Sequence, residues 1–140
     1  MNLSNFDKQE RRSIHWASSA GHYHVVRLLI QNGAEVNCAD KTKCTPIHLA
    51  AANGYAQVVQ MLGKRSIHSE YLFKPNYLVD HGAELNVKTV NNETPLHFAA
   101  RKGKNDCVRI LLNSGAKVKF YFVLTINNYT LYNSGKLSNA

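Results

Sequence analysis

An internal period of 33 residues constrains this chain more than any other feature. His15 and His48 lie 33 positions apart, as do Ala17 and Ala50, Gly21 and Gly54, and Gly82 and Gly115. Between the second and third copies the spacing widens to 49, from Thr45 to Thr94 and from His48 to His97. Because 49 is 33 plus 16, one copy carries 16 additional residues, and removing residues 63–78 restores the phase throughout. A period of this size signals a solenoid, in which each copy is one supersecondary unit whose apolar face is covered only by its neighbours. The frame divides the chain into a lead-in (1–6), repeats at 7–39, 40–88 and 89–118, and a non-repeat tail (119–140). The insertion falls in the second repeat.

Each copy follows the same local rules. Thr45-Pro46 and Thr94-Pro95 read as a helix N-cap followed by proline at the first helical position, where its missing N–H costs nothing. A short helix follows (IHLAAAN, LHFAARK) whose small alanines permit close packing. Gly21, Gly54 and Gly103 end that helix where a left-handed residue is wanted. A second apolar helix (VVRLLIQN, VVQML, CVRILLNS) is closed by Gly33, Gly82 and Gly115. Asp7 and Asp40 share one phase as turn residues opening each hairpin, and Thr89 replaces them in the third copy. The first copy has Arg12-Ser13 in place of Thr-Pro, as expected of a terminal repeat, with Ser13 available as a cap.

These rules resemble the ankyrin repeat, whose TPLHxA signature is matched by TPIHLA at 45–50 and TPLHFA at 94–99. The second half of the repeat is matched by VVRLLIQNGAEVN at 25–37 and VRILLNSGAKV at 108–118. The stretch SIHWASSAGH at 13–22 is also similar to the opening of proteasome-associated ankyrin chaperones. The resemblance implies an all-α solenoid of stacked helix-turn-helix units with β-hairpin-like loops. It assigns His15, His48 and His97 a structural role, the ring hydrogen-bonding near the helix start. It also implies that partners bind to the hairpin tips and the exposed side of the first helix, which together form a concave face. That face takes Lys8, Gln9, Arg11, Ser19 and Ala20 from the first copy. Lys41, Thr42, Cys44, Ala52 and Asn53 come from the second, and Val90, Asn91, Glu93, Arg101 and Lys102 from the third. Five of these residues are basic and one is acidic, so an acidic protein partner is expected.

Nothing in the chain supplies chemistry of its own. No Gly-rich phosphate loop, nucleophile elbow or carboxylate pair is present, and no enzymatic activity or cofactor is expected. His22, His24, Cys38 and Cys44 match no zinc spacing, so no metal is expected either. Trp16 takes the phase of Leu49 and Phe98, which marks a core or ridge residue rather than an aromatic cage. Cys38, Cys44 and Cys107 are odd in number and read as small apolar fillers in a reduced, intracellular setting, cytoplasmic or nuclear. No apolar run approaches the roughly 20 residues that span a bilayer, so no membrane contact is expected. The net charge of +8 contains +2 from residues 63–78 and +2 from 119–140, which leaves +4 for the repeats. That balance favours acidic partners mildly. The competing reading, a basic nucleic-acid-associated ankyrin protein, lacks base-stacking aromatics on the expected face.

The insertion GKRSIHSEYLFKPNYL breaks the second helix of the second repeat in its middle, where Gly63 and Pro75 are both poor helix formers. The tail KFYFVLTINNYTLYNSGKLSNA has no repeat pattern and no polar capping helix, and FYFVLTI at 120–126 has the profile of an aggregation-prone strand. One reading explains both as translated introns: Gly63-Lys64 and Val118-Lys119 can each encode a splice-donor sequence, and 16 codons keep the frame. The alternative is a genuine loop.

Overall fold

A computed structural model describes residues 5–63 and 82–118, together with strands at 124–126, 129–131 and 137–139. Residues 64–78 of the insertion and the rest of the tail lie outside the described residues. Three helical hairpins follow one another: α1 (Ser13–Ala20) with α2 (Tyr23–Gln31), α3 (Pro46–Asn53) with α4 (Ala56–Gly63), and α5 (Pro95–Arg101) with α6 (Asn105–Asn113). The first helices pack side by side in the order α1, α3, α5, and the second helices in the order α2, α4, α6. The all-α solenoid is therefore the architecture of the repeats.

The same residues start and stop each hairpin. Thr45 and Thr94 are the N-caps of α3 and α5, each with extended backbone and proline as the next residue. In the first repeat Arg12 takes the cap position and Ser13 becomes the first helical residue, so Ser13 does not cap. The Arg12 amide instead donates to His15 Nδ1 at 3.1 Å. Gly21 and Gly54 end α1 and α3 with φ of 74° and 80°, a left-handed conformation in which other residues are strained. Gly21 is doubly restricted, because a Cβ there would lie 2.4 Å from the Tyr55 ring.

The core runs along the stack at repeated positions. Ile14, Ile47 and Leu96 occupy one phase of the first helices, and Val26, Val59 and Val108 one phase of the second; all are buried. Ser18 shares a phase with Ala51 and Ala100, is fully buried, and its hydroxyl has no hydrogen-bond partner among the described residues. An unpaired buried hydroxyl opposes folding, so Ser18→Ala should stabilise the protein by about 1–2 kcal/mol. Chemical denaturation reads this as a raised midpoint at unchanged slope. A lowered midpoint would show that the hydroxyl is satisfied.

The insertion does not enter α4 where the sequence suggests. The helix continues through Leu62 and Gly63, only one residue shorter than α2 and α6. The closing bond of each repeat is also kept. Ala34 N donates to Leu29 O at 2.9 Å, Ala116 N to Leu111 O at 2.9 Å, and Ala83 N to Leu62 O at 2.7 Å across the inserted stretch. The break thus falls in the last turn, not the middle. A single glycine there needs no side-chain space and α4 is already propagating, so the propensity cost of Gly63 does not stop it.

Strand structure occurs in the tail. β1 (Leu124–Ile126), β2 (Tyr129–Leu131) and β3 (Leu137–Asn139) form an antiparallel sheet in that order, with Thr125 opposite Thr130 and Thr130 opposite Ser138. The all-α expectation therefore holds for the repeats and not for the tail. The end of FYFVLTI forms β1; residues 120–123 lie outside the described residues.

Candidate partner-binding face

Each repeat opens on a tight tip built by one side chain. Asp7 Oδ1 accepts from the amides of Gln9 (2.8 Å) and Arg11 (2.9 Å), and Asp40 Oδ1 from those of Thr42 (2.8 Å) and Cys44 (2.9 Å). Thr89 Oγ does the same for Asn91 and Glu93 at 3.3 Å. These residues are turn builders, as their shared phase implies. The geometry forces a left-handed residue at each tip: Glu10, Lys43 and Asn92 have φ near 60°. Successive tips are joined edge to edge, Lys41 N donating to Gln9 O and Val90 N to Thr42 O, both at 3.0 Å.

Histidines lock the tips to the helices. His15 Nδ1 accepts from the Arg12 amide, which leaves the proton on Nε2, and Nε2 donates to Cys44 O of the next repeat at 3.0 Å. His48 accepts the Thr45 hydroxyl proton at 2.8 Å and donates to Glu93 O at 3.0 Å. Burial pushes both rings below the ordinary histidine pKa, although the carbonyls they face pull the other way. His97 makes the same bond with the Thr94 hydroxyl at 2.8 Å but is exposed. His15 and His48 each join the start of their own first helix to the repeat that follows.

The expected face residues separate into two groups. Lys8, Gln9, Ala20, Lys41, Thr42, Asn53, Val90, Asn91, Arg101 and Lys102 are exposed, and Ser19, Ala52 and Glu93 are half-buried. Cys44 is buried and cannot meet a partner. Arg11 is half-buried and already engaged: its Nε lies 3.3 Å from Asp40 Oδ2 and its guanidinium sits over the Trp16 ring. Burial disfavours the Asp40 carboxylate, but the bonds from Thr42, Cys44 and Arg11 outweigh it and hold its pKa below the usual value. Arg101 pairs with Glu93 and stacks over Phe98. Asn53 Nδ2 donates to Ser19 O at 2.8 Å, which ties α3 to α1.

Of the five basic residues expected on the face, Lys8, Lys41 and Lys102 have no side-chain partner among the described residues. Lys43 belongs with them and is missed by reading variable family positions; its phase with Glu10 and Asn92 is the signal that places it on a tip. Trp16 is 56% exposed, its Nε1 donating to Asp7 Oδ2 at 3.2 Å, so it is a ridge residue and not a core one.

No group of His, Cys, Asp or Glu among the described residues could hold a metal ion. Cys38, Cys44 and Cys107 are buried free thiols; burial pushes Cys38 and Cys107 up to about 11 and raises Cys44, which keeps all three protonated. Among the described residues no helix is long and apolar enough to cross a membrane.

Comparison with known families matches residues 14–62 to a model described as ankyrin repeats (many copies) and residues 68–121 to one described as ankyrin repeats (3 copies). The chain belongs to the ankyrin-repeat family. Curated relatives of this ankyrin chain include a palmitoyltransferase, AKR1, of Debaryomyces hansenii, 36% identical over 56 residues, or 40% of this chain and 7% of that protein. Protein phosphatase 1 regulatory subunit 27 of Mus musculus is 34% identical over 50 residues, covering 36% of this chain and 32% of its own length. The NF-kappa-B inhibitor cactus of Drosophila yakuba is 35% identical over 51 residues, covering 36% and 10%. The chain thus spans a third or less of each of these relatives.

Proposed function

We propose that this ankyrin stack is a protein-interaction module without catalytic activity, a scaffold or adaptor that takes an acidic partner on its tips and first-helix face. Three units, at 7–39, 40–88 and 89–118, would contribute to that face. Two of the relatives are by name a phosphatase regulatory subunit and an inhibitor, and regulation of either kind works through binding. The observation that carries the reading is the fate of the cations. Arg11 and Arg101 are satisfied internally, whereas Lys8, Lys41 and Lys43 stand unpaired on two tips joined by a backbone hydrogen bond. Of the acids on these tips, Asp7 and Asp40 are taken up by the tip amides, Trp16 and Arg11, which leaves Glu10 as the acid without a side-chain partner among the described residues. Clustered unpaired lysines attract carboxylates, speed encounter and lose their effect in salt.

The test is fluorescence anisotropy with a labelled glutamate-rich peptide as probe. Lys8→Glu, Lys41→Glu and Lys43→Glu together should weaken binding by about tenfold or more at low salt, with the circular dichroism spectrum unchanged. Equal binding by the triple variant would remove the tips from the interface. Tighter binding of a DNA duplex than of the peptide, with a steep salt slope, would favour the nucleic-acid reading instead.

A further inference from the structure

The contacts that join one repeat to the next occur twice inside the molecule, and the first and third repeats each keep one half of the same contact unused among the described residues. At each internal joint a histidine Nε2 donates to the carbonyl just before the next N-cap, which already accepts the tip amide: Cys44 O takes His15 and Asp40 N, and Glu93 O takes His48 and Thr89 N. Arg11 O, the equivalent carbonyl of the first repeat, takes only Asp7 N among the described residues. His97 Nε2 has no acceptor among the described residues. The tip ladder is open in the same way: it runs Lys41 N to Gln9 O and Val90 N to Thr42 O, and leaves Lys8 N and Asn91 O without partners among the described residues.

The apolar surface matches this pattern. Val25 and Leu28 of the first repeat are 45% and 56% exposed, whereas their counterparts Val58 and Cys107 are buried and Met61 and Ile110 half-buried. Trp16 takes the position of Phe98, whose ring packs edge-on against His48 of the preceding repeat at 5.1 Å. At the far end His97, Ala100 and Leu112 are more exposed than His15, Ser18 and Ile30. In a stacked array such faces are covered by the neighbouring repeat.

We infer that two copies of this chain stack head to tail, the third repeat of one receiving the first repeat of the other. His97 Nε2 of one copy donates to Arg11 O of the second, Lys8 N of the second donates to Asn91 O of the first, and Trp16 packs on His97. A second copy is the occupant, because the donor, the acceptor and the apolar residues that each end lacks are all present at the opposite end of the same molecule. The contact is heterologous, so it leaves a free end at each side and builds an open series rather than a closed dimer.

Sedimentation equilibrium of the full chain tests this. The wild type should show a mass that rises with concentration from 15.7 kDa. Trp16→Glu blocks one end and Ala100→Glu the other; each alone should stay at the monomer mass, with helical content retained. Mixed, the two variants should form a one-to-one dimer near twice 15.7 kDa through their intact ends and go no further. Leu28→Glu replaces Trp16→Glu should the latter lose helicity. A wild type that stays monomeric to about 0.5 mM, a level that leaves only millimolar affinity, overturns the inference. So does a variant that associates like the wild type, or a mixture that fails to recover the dimer.

Discussion

Deleting residues 63–78, so that Leu62 is followed by Val79, is expected to stabilise the fold by about 3 kcal/mol, the sum of three effects. The first is chain closure. Twenty residues separate Leu62 from Ala83, whose backbone hydrogen bond must form across them, and the deletion leaves four. The polymer cost of closure falls by about 1.4 kcal/mol for that change. The second is helix propensity: valine in place of Gly63 gains a few tenths of a kcal/mol. The third is burial. Val79 would take the phase of Ile30, which is buried, and a Cβ at Gly63 would meet Leu85 and Ser114 at 3.6 and 3.7 Å, ordinary contact distances. Covering that side chain contributes about 1–1.5 kcal/mol. Circular dichroism melts of the two proteins should differ by roughly 10 °C, the deleted form being the more stable. A melting temperature that falls on deletion would mean that the inserted residues pack on the stack and belong to it.

The difference between this expectation and one drawn from sequence alone lies in α4. Phase shows that 16 residues are extra, but not that the helix can carry Gly63 and still hand the Leu62 carbonyl to Ala83, since that bond spans the insertion. Elsewhere the repeat frame is informative because its signals are local. Proline after a threonine cap and glycine at a left-handed stop act within a few residues of themselves, and both appear where the pattern puts them. Arg11 and Arg101 illustrate the opposite case. Their family positions suggest a partner, yet Asp40, 29 residues away, and Glu93 take up their charges. His97 is the sharpest example. Its motif is indistinguishable from that of His48, and only the absence of a described neighbour beyond the third repeat makes its ring exposed.

That last contrast gives the second large effect. His48→Ala is expected to cost about 3–4 kcal/mol, because it takes away the acceptor of the Thr45 hydroxyl proton, leaves the Glu93 carbonyl with only the Thr89 amide, and opens a cavity in the joint between repeats. His97→Ala removes only the Thr94 contacts at an exposed site and should cost about 1 kcal/mol. Damage at an internal joint weakens both of the repeats that share it, and an array of three has little to spare. The pH dependence separates the two further. Burial lowers the pKa of His15 and His48 in the folded state, whereas in the unfolded chain they titrate near 6.5. Below that value the unfolded chain binds protons that the folded one refuses, so stability is complete above about pH 6.5 and falls as the pH drops towards the folded-state values. Denaturant midpoints measured between pH 5 and 8 should therefore slope downward with acid in the wild type and in His97→Ala. In His48→Ala the slope should be shallower, with His15 supplying what remains. A slope unchanged by His48→Ala would mean that its ring is not held neutral in the joint, and the hydrogen bond from Nε2 to Glu93 O would no longer account for its burial.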